Sequence, residues 1–446
     1  MTLRRLIPLV LVAASLAASC SSDNTASDNT ASDTTNGGTG SADTTIGDTT
    51  IASTTVDSSG TVDQPIETAP AATAAPSTET AGEPWQVAPD GDAFYTPPDD
   101  LAERAVGTVI WAQPTSPIDG AVVSKILYVS ESLAGERIAV SAMIAVPTAS
   151  APATGWPIVT WAHGTTGSAD ECAPSISGTL SIPSPEVLAQ AGYIVVATDY
   201  EGLGTPGLHP YLVADSEARS VLDAARAATT APGASSTVFT WGWSQGGQAS
   251  IRAGELAPTY AAELDVVGAV GFAPIAQFSR IASIGATASG LSGFWVPAIA
   301  GFAEAYPATL RVEDILSPEM VAELGLLEEG CTDRYFPEFG AVPGAPGIAD
   351  PLSLPAWADV IGANDAGRVA MTMPLLVLQG TSDAVVPPSL NDLFTADACA
   401  AGSTVQYDVR AGEDHGSIVT TAFPDAIAWM TALLVGREPA PSNCQA

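Results

Sequence analysis

The sequence predicts an α/β fold: a mostly parallel central sheet with helices on both faces. Two observations carry that expectation. Short unbroken runs of Val, Ile and Leu recur along the chain, as strands buried on both faces require. Longer helical stretches separate the later runs, and strands alternating with helices favour a doubly wound sheet. At 446 residues the chain has room for one large domain or two small ones beside non-globular segments.

The first segment is not part of that fold. Arg4 and Arg5 make a short positive start and Leu6 to Ala18 is apolar, a run too short to span a bilayer stably. Residues 1–19 are therefore expected to be a signal peptide for export. Leu16-Ala17-Ala18-Ser19-Cys20 resembles a bacterial lipoprotein signal, in which Cys20 is lipidated and becomes the mature N-terminus. It departs from that pattern in carrying Ala17, not a large apolar residue, three places before the cysteine. Ordinary cleavage nearby, leaving a free secreted protein, is the alternative. A single acyl chain anchors marginally, whereas a diacylated cysteine holds firmly.

Residues 20–84 are Ser, Thr, Asp, Asn, Ala and Gly with almost no aromatics, and Ser-Asp-Asn-Thr-Ala recurs at Ser22–Ala26 and Ser27–Ala31. Such a segment has too little apolar surface to offset the entropy of ordering, so a disordered acidic linker is expected. A linker behind an acylated Cys20 would let an anchored domain reach past the envelope.

The net charge of −35 is not confined to the linker, and Lys125 is the only lysine of the globular part. A surface this acidic argues against nucleic acid and anionic membrane as partners. Of five cysteines, Cys20 is set apart, leaving Cys172, Cys331, Cys399 and Cys444. An even number in an exported chain suggests two disulfides, and spacing does not choose among the three pairings. No C-x-x-C pair suggests a metal site.

The globular region, 85–446, opens with strands expected at Ser124–Val129 and Ile138–Val146. Joined through Glu131–Glu136, they read as an antiparallel hairpin at the sheet edge. Further strands are expected at Pro157–Trp161, Tyr193–Ala197, Val238–Trp241, Val266–Phe272, Leu375–Gln379 and Val405–Val409, with helices at Ser216–Thr229, Gln245–Leu256 and Thr420–Leu434. Between Phe272 and Leu375 the alternation breaks down. Residues of about 275–370 read as an inserted cap or lid that also lines an acyl pocket. Simple packing of its apolar residues against the main domain is the plainer alternative.

Chemistry concentrates at Gly242-Trp243-Ser244-Gln245-Gly246. This G-x-S-x-G stands directly after an expected strand and before an expected helix, the context that the motif needs. The nucleophile sits on a strained strand-to-helix turn, Gly242 and Gly246 permit close backbone approach, and the helix N-terminus favours developing negative charge. Ser244 is the expected nucleophile of an α/β-hydrolase fold.

Serine is a weak nucleophile and needs a base. The chain has three histidines. His415 follows the last strand and precedes the last helix, where this fold places its base; His163 and His209 read as structural or loop histidines. Asp383, just after the penultimate strand, is the expected acid partner, and Ser244, Asp383, His415 is the fold's chain order. Asp392 and Asp397 fall on the following helix and read as solvated surface acids, while Asp414 would point away from the His415 ring. The oxyanion formed on attack needs preorganised donors. The backbone N–H of Gln245 supplies one, and Thr165, in the His163–Gly167 loop, is chosen for the other. His163 would orient that loop.

On these residues the chain, from about Phe94 to about Leu434, resembles the secretory lipase family, the lipase A-like α/β-hydrolases. The resemblance also rests on Phe94-Tyr95-Thr96-Pro97-Pro98, Glu171-Cys172-Ala173-Pro174-Ser175, Asp199-Tyr200-Glu201-Gly202 and the long cap before Asp383. It implies hydrolysis of acylglycerols or other carboxylic esters by a triad of Ser244, Asp383 and His415, with no cofactor. It also implies one disulfide from Cys172 to Cys331 and another between Cys399 and Cys444. Asp199 and Glu201, which match the family's acidic turn, read as structural.

Short-chain esterases and acyltransferases share this chemistry, and the apolar cap favours lipid-like acyl groups weakly. A peptidase of the same fold is disfavoured by the lack of a preceding propeller-like domain. A non-catalytic surface module is disfavoured because the triad and both elbow glycines are kept. Acyl preference and oligomeric state are not legible in the sequence.

Overall fold

The computed structural model describes residues 85–436 and 441–444; the signal segment, the linker and Cys20 lie outside them. Nine strands run through the described chain: β1 (Val109–Pro114), β2 (Ala121–Glu131), β3 (Arg137–Pro147), β4 (Trp156–Ala162), β5 (Ile194–Thr198), β6 (Ala234–Trp243), β7 (Asp265–Phe272), β8 (Leu375–Gly380) and β9 (Val405–Arg410). They form one sheet in the order β1-β2-β3-β5-β4-β6-β7-β8-β9. Pairing is antiparallel from β1 through β5 and parallel from β5 to β9.

One expectation is corrected. The hairpin of β2 and β3 is not the sheet edge, because β1 pairs along β2 with Ala112 opposite Ile126. Val87 adds a parallel bridge to Ala112. Ile110 and Trp111 are buried there beside Phe94, Leu127 and Val129. The N-terminal part of the domain thereby covers an edge that would otherwise expose unpaired backbone.

The central strands are apolar on both faces because helices cover both. β5 (Ile-Val-Val-Ala-Thr) and β8 (Leu-Leu-Val-Leu-Gln-Gly) are buried at every position. The early helices are short: α1 (Pro174–Ser177) and α2 (Pro185–Gln190). Two long ones, α3 (Ala214–Thr229) and α4 (Gln245–Tyr260), cover one face, and their alanines allow close approach to Ile126, Val140, Ile158 and Val238.

The inserted region holds α5 (Ser279–Gly285), α6 (Ser292–Ala305), α7 (Pro318–Ala322), α8 (Thr332–Ala341) and α9 (Pro355–Ala363). These helices share a separate apolar cluster, with Trp295, Phe302, Tyr335, Phe339 and Trp357 buried at its centre. Tyr211, Leu212 and Val213, from the loop between β5 and α3, complete that cluster from below. The insertion is thus a packed helical body and not a structureless loop.

The chain closes with α10 (Pro388–Ala401) and α11 (Ser417–Leu434). By length and composition α11 could cross a membrane. Its Ile418, Ala422, Phe423, Ala426 and Met430 instead pack on Trp241 and Phe272, on the sheet face that α2 also covers. Its outer side carries Thr420, Thr421 and Asp425. This is an amphipathic core helix.

Two disulfides close, Cys172–Cys331 and Cys399–Cys444, the pairing that the resemblance implied. The first ties the segment after β4 to the start of α8. Gly167 bridges Cys331 at the same place, and the Thr332 N–H donates to the Thr166 carbonyl.

Candidate active site

β4 and β6 pair in parallel with Ala162 opposite Gly242, so the segments that leave their carboxyl ends emerge side by side. One contains Thr165 and the other Ser244. β8 and β9 end in the same direction, followed by Asp383 and His415. Ligands of open α/β sheets bind beyond these carboxyl ends.

Ser244 stands between β6 and α4 at φ 57° and ψ −116°, a conformation costly for a residue with a Cβ. Backbone bonds hold it there: its N–H donates to the Phe272 carbonyl, and its carbonyl accepts from the N–H groups of Ile275 and Gln248. The flanking glycines are sterically required. A Cβ on Gly242 would lie 2.0 Å from the Gly246 carbonyl oxygen, and one on Gly246 would lie 1.9 Å from that of Ala162. The turn can be this tight because neither residue has a side chain.

His415 Nε2 lies 3.0 Å from Ser244 Oγ, and His415 Nδ1 lies 2.8 Å from Asp383 Oδ2. A carboxylate can only accept, so Nδ1 carries the hydrogen and Nε2 is left to accept from the serine hydroxyl. Asp383 is fixed on both oxygens. Its Oδ1 accepts from the N–H groups of Val385 and Val386 at 2.9 and 2.8 Å, and its Oδ2 also accepts from Gln379 Nε2 at 3.1 Å. All three residues are buried to 9% exposure or less, which strengthens interactions among them.

The other acids lie elsewhere. Asp397 pairs with Arg280 and Arg368, and Asp392 accepts from the Tyr407 hydroxyl. Asp414 accepts from the N–H groups of Gly416 and Ser417 and so turns away from its neighbour's ring. The remaining histidines are buried and hydrogen-bonded through Nδ1. His163 Nδ1 meets the Gly164 carbonyl at 2.6 Å and His209 Nδ1 meets that of Glu201 at 2.8 Å. Burial pushes His163 down to about 4 and His209 to about 3, so both are neutral near pH 7.

Asp199 is also buried, accepting from the Ser141 hydroxyl and the Ser175 N–H. Burial raises it to about 6. Glu201 accepts from the Ser216 hydroxyl. Both tie the turn after β5 to its neighbours.

Gln245 begins α4, so its backbone N–H has no acceptor within the helix. Thr165 is half-buried in the loop after β4, its hydroxyl 2.8 Å from that of Tyr211. Among the described residues no cluster of His, Cys, Asp and Glu is arranged to hold a metal ion.

Several residues of this site are not legible in the sequence. Trp243, the variable position before the serine, donates from its indole to the His415 carbonyl at 2.9 Å and packs on the imidazole at 5.3 Å between ring centroids. Gln379 on β8 takes its orientation from Asn391, which donates to its amide oxygen. Glu217 on α3 accepts from Gln245 Nε2 at 2.8 Å while fully buried. Burial pushes that carboxyl up to about 8.

A model of the secretory lipase family matches residues 184–442. A Mycobacterium tuberculosis protein described as a probable inactive lipase is 25% identical over 383 residues, covering 78% of this chain and 83% of the relative. Lipase A of Arthroderma benhamiae is 25% identical over 392 residues, covering 78% and 80%. Candida antarctica lipase A in its closed state superposes with a TM-score of 0.64 at 20% identity, covering 78% of this chain and 87% of that one. The rice cell wall degrading esterase LipA of Xanthomonas oryzae gives 0.60 at 20% identity, covering 75% and 98%. At such identities the solved structures speak for the fold alone.

Proposed function

The chain belongs to the secretory lipase family, and on that premise we propose that it is an exported serine carboxylic-ester hydrolase acting on acylglycerols or related lipid esters. The observation that carries the reading is the unbroken series Ser244 Oγ, His415 Nε2, His415 Nδ1, Asp383 Oδ2, with contacts of 3.0 and 2.8 Å. Family membership alone does not carry activity, since one relative is described as a probable inactive lipase. Retention of all three side chains in mutual contact supports catalysis here.

The reaction runs in two steps. Ser244 Oγ attacks the ester carbonyl carbon as His415 Nε2 takes its proton, and the carbonyl oxygen becomes an oxyanion facing the N–H groups of Gln245 and Thr165. The tetrahedral intermediate collapses, the C–O bond to the alcohol breaks, and His415 returns the proton to the departing oxygen. Water then attacks the acyl-enzyme with His415 again as base, releasing the carboxylic acid and restoring Ser244. Asp383 stabilises the imidazolium without itself being protonated. None of these steps draws on a cofactor.

Acyl preference is read by a series of esters of increasing chain length, assayed below and above the solubility limit of each. A lipase shows its highest rate on long acyl chains once an oil–water interface forms. A rate that falls steadily with chain length and ignores the interface assigns a short-chain esterase instead, and product esters in the presence of a second alcohol assign an acyltransferase.

The domain reading forms part of the same proposal: a signal peptide over 1–19, a linker over 20–84, and a catalytic domain whose cap spans about 275–370. Cys20, lipidated, would tether the enzyme to the outer side of a bacterial membrane through that linker. Mass spectrometry of the mature N-terminus is expected to find a diacylated Cys20. An unmodified residue at another position there assigns free secretion.

A further inference from the structure

Behind the nucleophile turn lies a buried network that the reaction above does not use. Glu217 Oε1 accepts from two groups at once, Gln245 Nε2 at 2.8 Å and the Leu212 backbone N–H at 2.9 Å. The second amide hydrogen of Gln245 faces His209 Nε2 at 2.8 Å. His209 carries its own hydrogen on Nδ1, directed at the Glu201 carbonyl, so Nε2 can accept. Both hydrogens of the Gln245 amide are therefore committed, and its orientation is fixed.

The other branch leads to the loop after β4. Leu212 holds a left-handed backbone at φ 60°, unfavourable for a branched side chain, and the bond to Glu217 helps to keep it there. Next to it, the Tyr211 hydroxyl meets the Thr165 hydroxyl at 2.8 Å. Above, a Cβ on Gly301 of α6 would come within 2.5 Å of the Tyr211 backbone nitrogen, so the inserted helices press directly on this segment. Glu217 thus reaches Gln245 through one bond and Thr165 through Leu212 and Tyr211.

We propose that Glu217 is a positioning residue that sets both oxyanion donors, Gln245 directly and Thr165 through the Leu212–Tyr211 segment. This deepens the hydrolase reading and rests on it. The alternative is a buried acid that holds the fold through its bonds to Gln245 and Leu212 without affecting the reaction.

The two roles separate in kinetics. An oxyanion bond strengthens as charge develops on the carbonyl oxygen, so misplaced donors lower kcat and leave KM nearly unchanged. A lost structural contact lowers stability and the number of competent sites, but each surviving site turns over normally. The experiment uses the full chain and p-nitrophenyl butyrate, with competent sites counted by burst titration and thermal unfolding measured in parallel.

Glu217→Leu removes the shared acceptor and is expected to cut kcat per titrated site about 30-fold with KM within about threefold, since loss of one donor outright costs about 10²–10³. Glu217→Gln keeps an acceptor at Oε1 and is expected to recover most of that rate. Tyr211→Phe removes one hydroxyl from a half-external bond and is expected to cost about fivefold in kcat, scaled down from the same donor loss.

Wild-type kcat per site in both Glu217→Leu and Tyr211→Phe would overturn the positioning role, as would Glu217→Gln as slow as Glu217→Leu. If Glu217→Leu does not fold, Tyr211→Phe decides in the same way. Ser244→Ala separates the two layers: persistent turnover there overturns the hydrolase reading itself. A silent Ser244→Ala beside unaffected Glu217 and Tyr211 variants overturns the positioning role alone.

Discussion

Ser244→Ala is expected to lower p-nitrophenyl ester turnover by about 10⁵-fold, equivalent to about 7 kcal/mol of transition-state stabilisation. The magnitude follows from what one oxygen supplies. On the proposed mechanism it forms the acyl bond, and it gives its proton to His415 Nε2 at 3.0 Å. Without it, binding and the oxyanion donors remain but no acyl-enzyme forms. The fold should survive, because the Ser244 hydroxyl bonds to His415 while the turn is held by backbone bonds to Phe272, Ile275 and Gln248. An unchanged thermal transition with turnover lowered by about 10⁵-fold is the expected pair of results. A variant that retains even a tenth of the rate assigns the nucleophile elsewhere.

Asp383→Asn is expected to reduce kcat by about 10³–10⁴-fold with little change in KM. The direction can be worked out atom by atom. Two backbone donors, Val385 and Val386, fix an acceptor at the Oδ1 position, so the new amide must place its oxygen there. Its nitrogen then takes the Oδ2 position and donates where a carboxylate accepted. His415 is forced to accept at Nδ1 and to carry its hydrogen on Nε2, facing Ser244, which is the wrong tautomer for a base. The amide also meets Gln379 Nε2 donor to donor, where the wild type has a 3.1 Å bond. Asp392→Asn, on the exposed side of α10, is the matched control and should leave kcat unaltered. Equal losses in the two variants would dismiss Asp383 as the partner of His415.

Much of this architecture is legible in the sequence because it is encoded locally. The runs at Ile194–Thr198 and Leu375–Gly380 are apolar at nearly every position, and only a strand covered on both faces buries all of them. The elbow is legible because its steric demand is written as Gly242 and Gly246. Strand β1 is not, because Val-Ile-Trp-Ala-Gln-Pro is short, mixed and ends in proline. Phe94 packs on it and Val87 bridges its backbone, and both arrive from a segment with no strand signal of its own.

The site divides in the same way. Ser244, Asp383 and His415 each follow a strand end, so their meeting could be expected from order alone. Glu217 sits in Asp215-Ser216-Glu217-Ala218-Arg219, which reads as the solvated first turn of a helix whose dipole favours acids. Its burial is a tertiary event, produced by the approach of α4 and of the loop carrying His209 and Leu212. Trp243 is likewise silent in sequence, since the motif leaves its position free and its indole partner lies 172 residues away.

The most direct test of the account treats the intact enzyme with a fluorophosphonate, which mimics the ester carbonyl and reacts with activated serine. Peptide mass spectrometry should then find one adduct, on Ser244, growing in step with the loss of ester hydrolysis. Complete inactivation with the adduct on another residue, or unimpaired hydrolysis by enzyme fully labelled at Ser244, would contradict it.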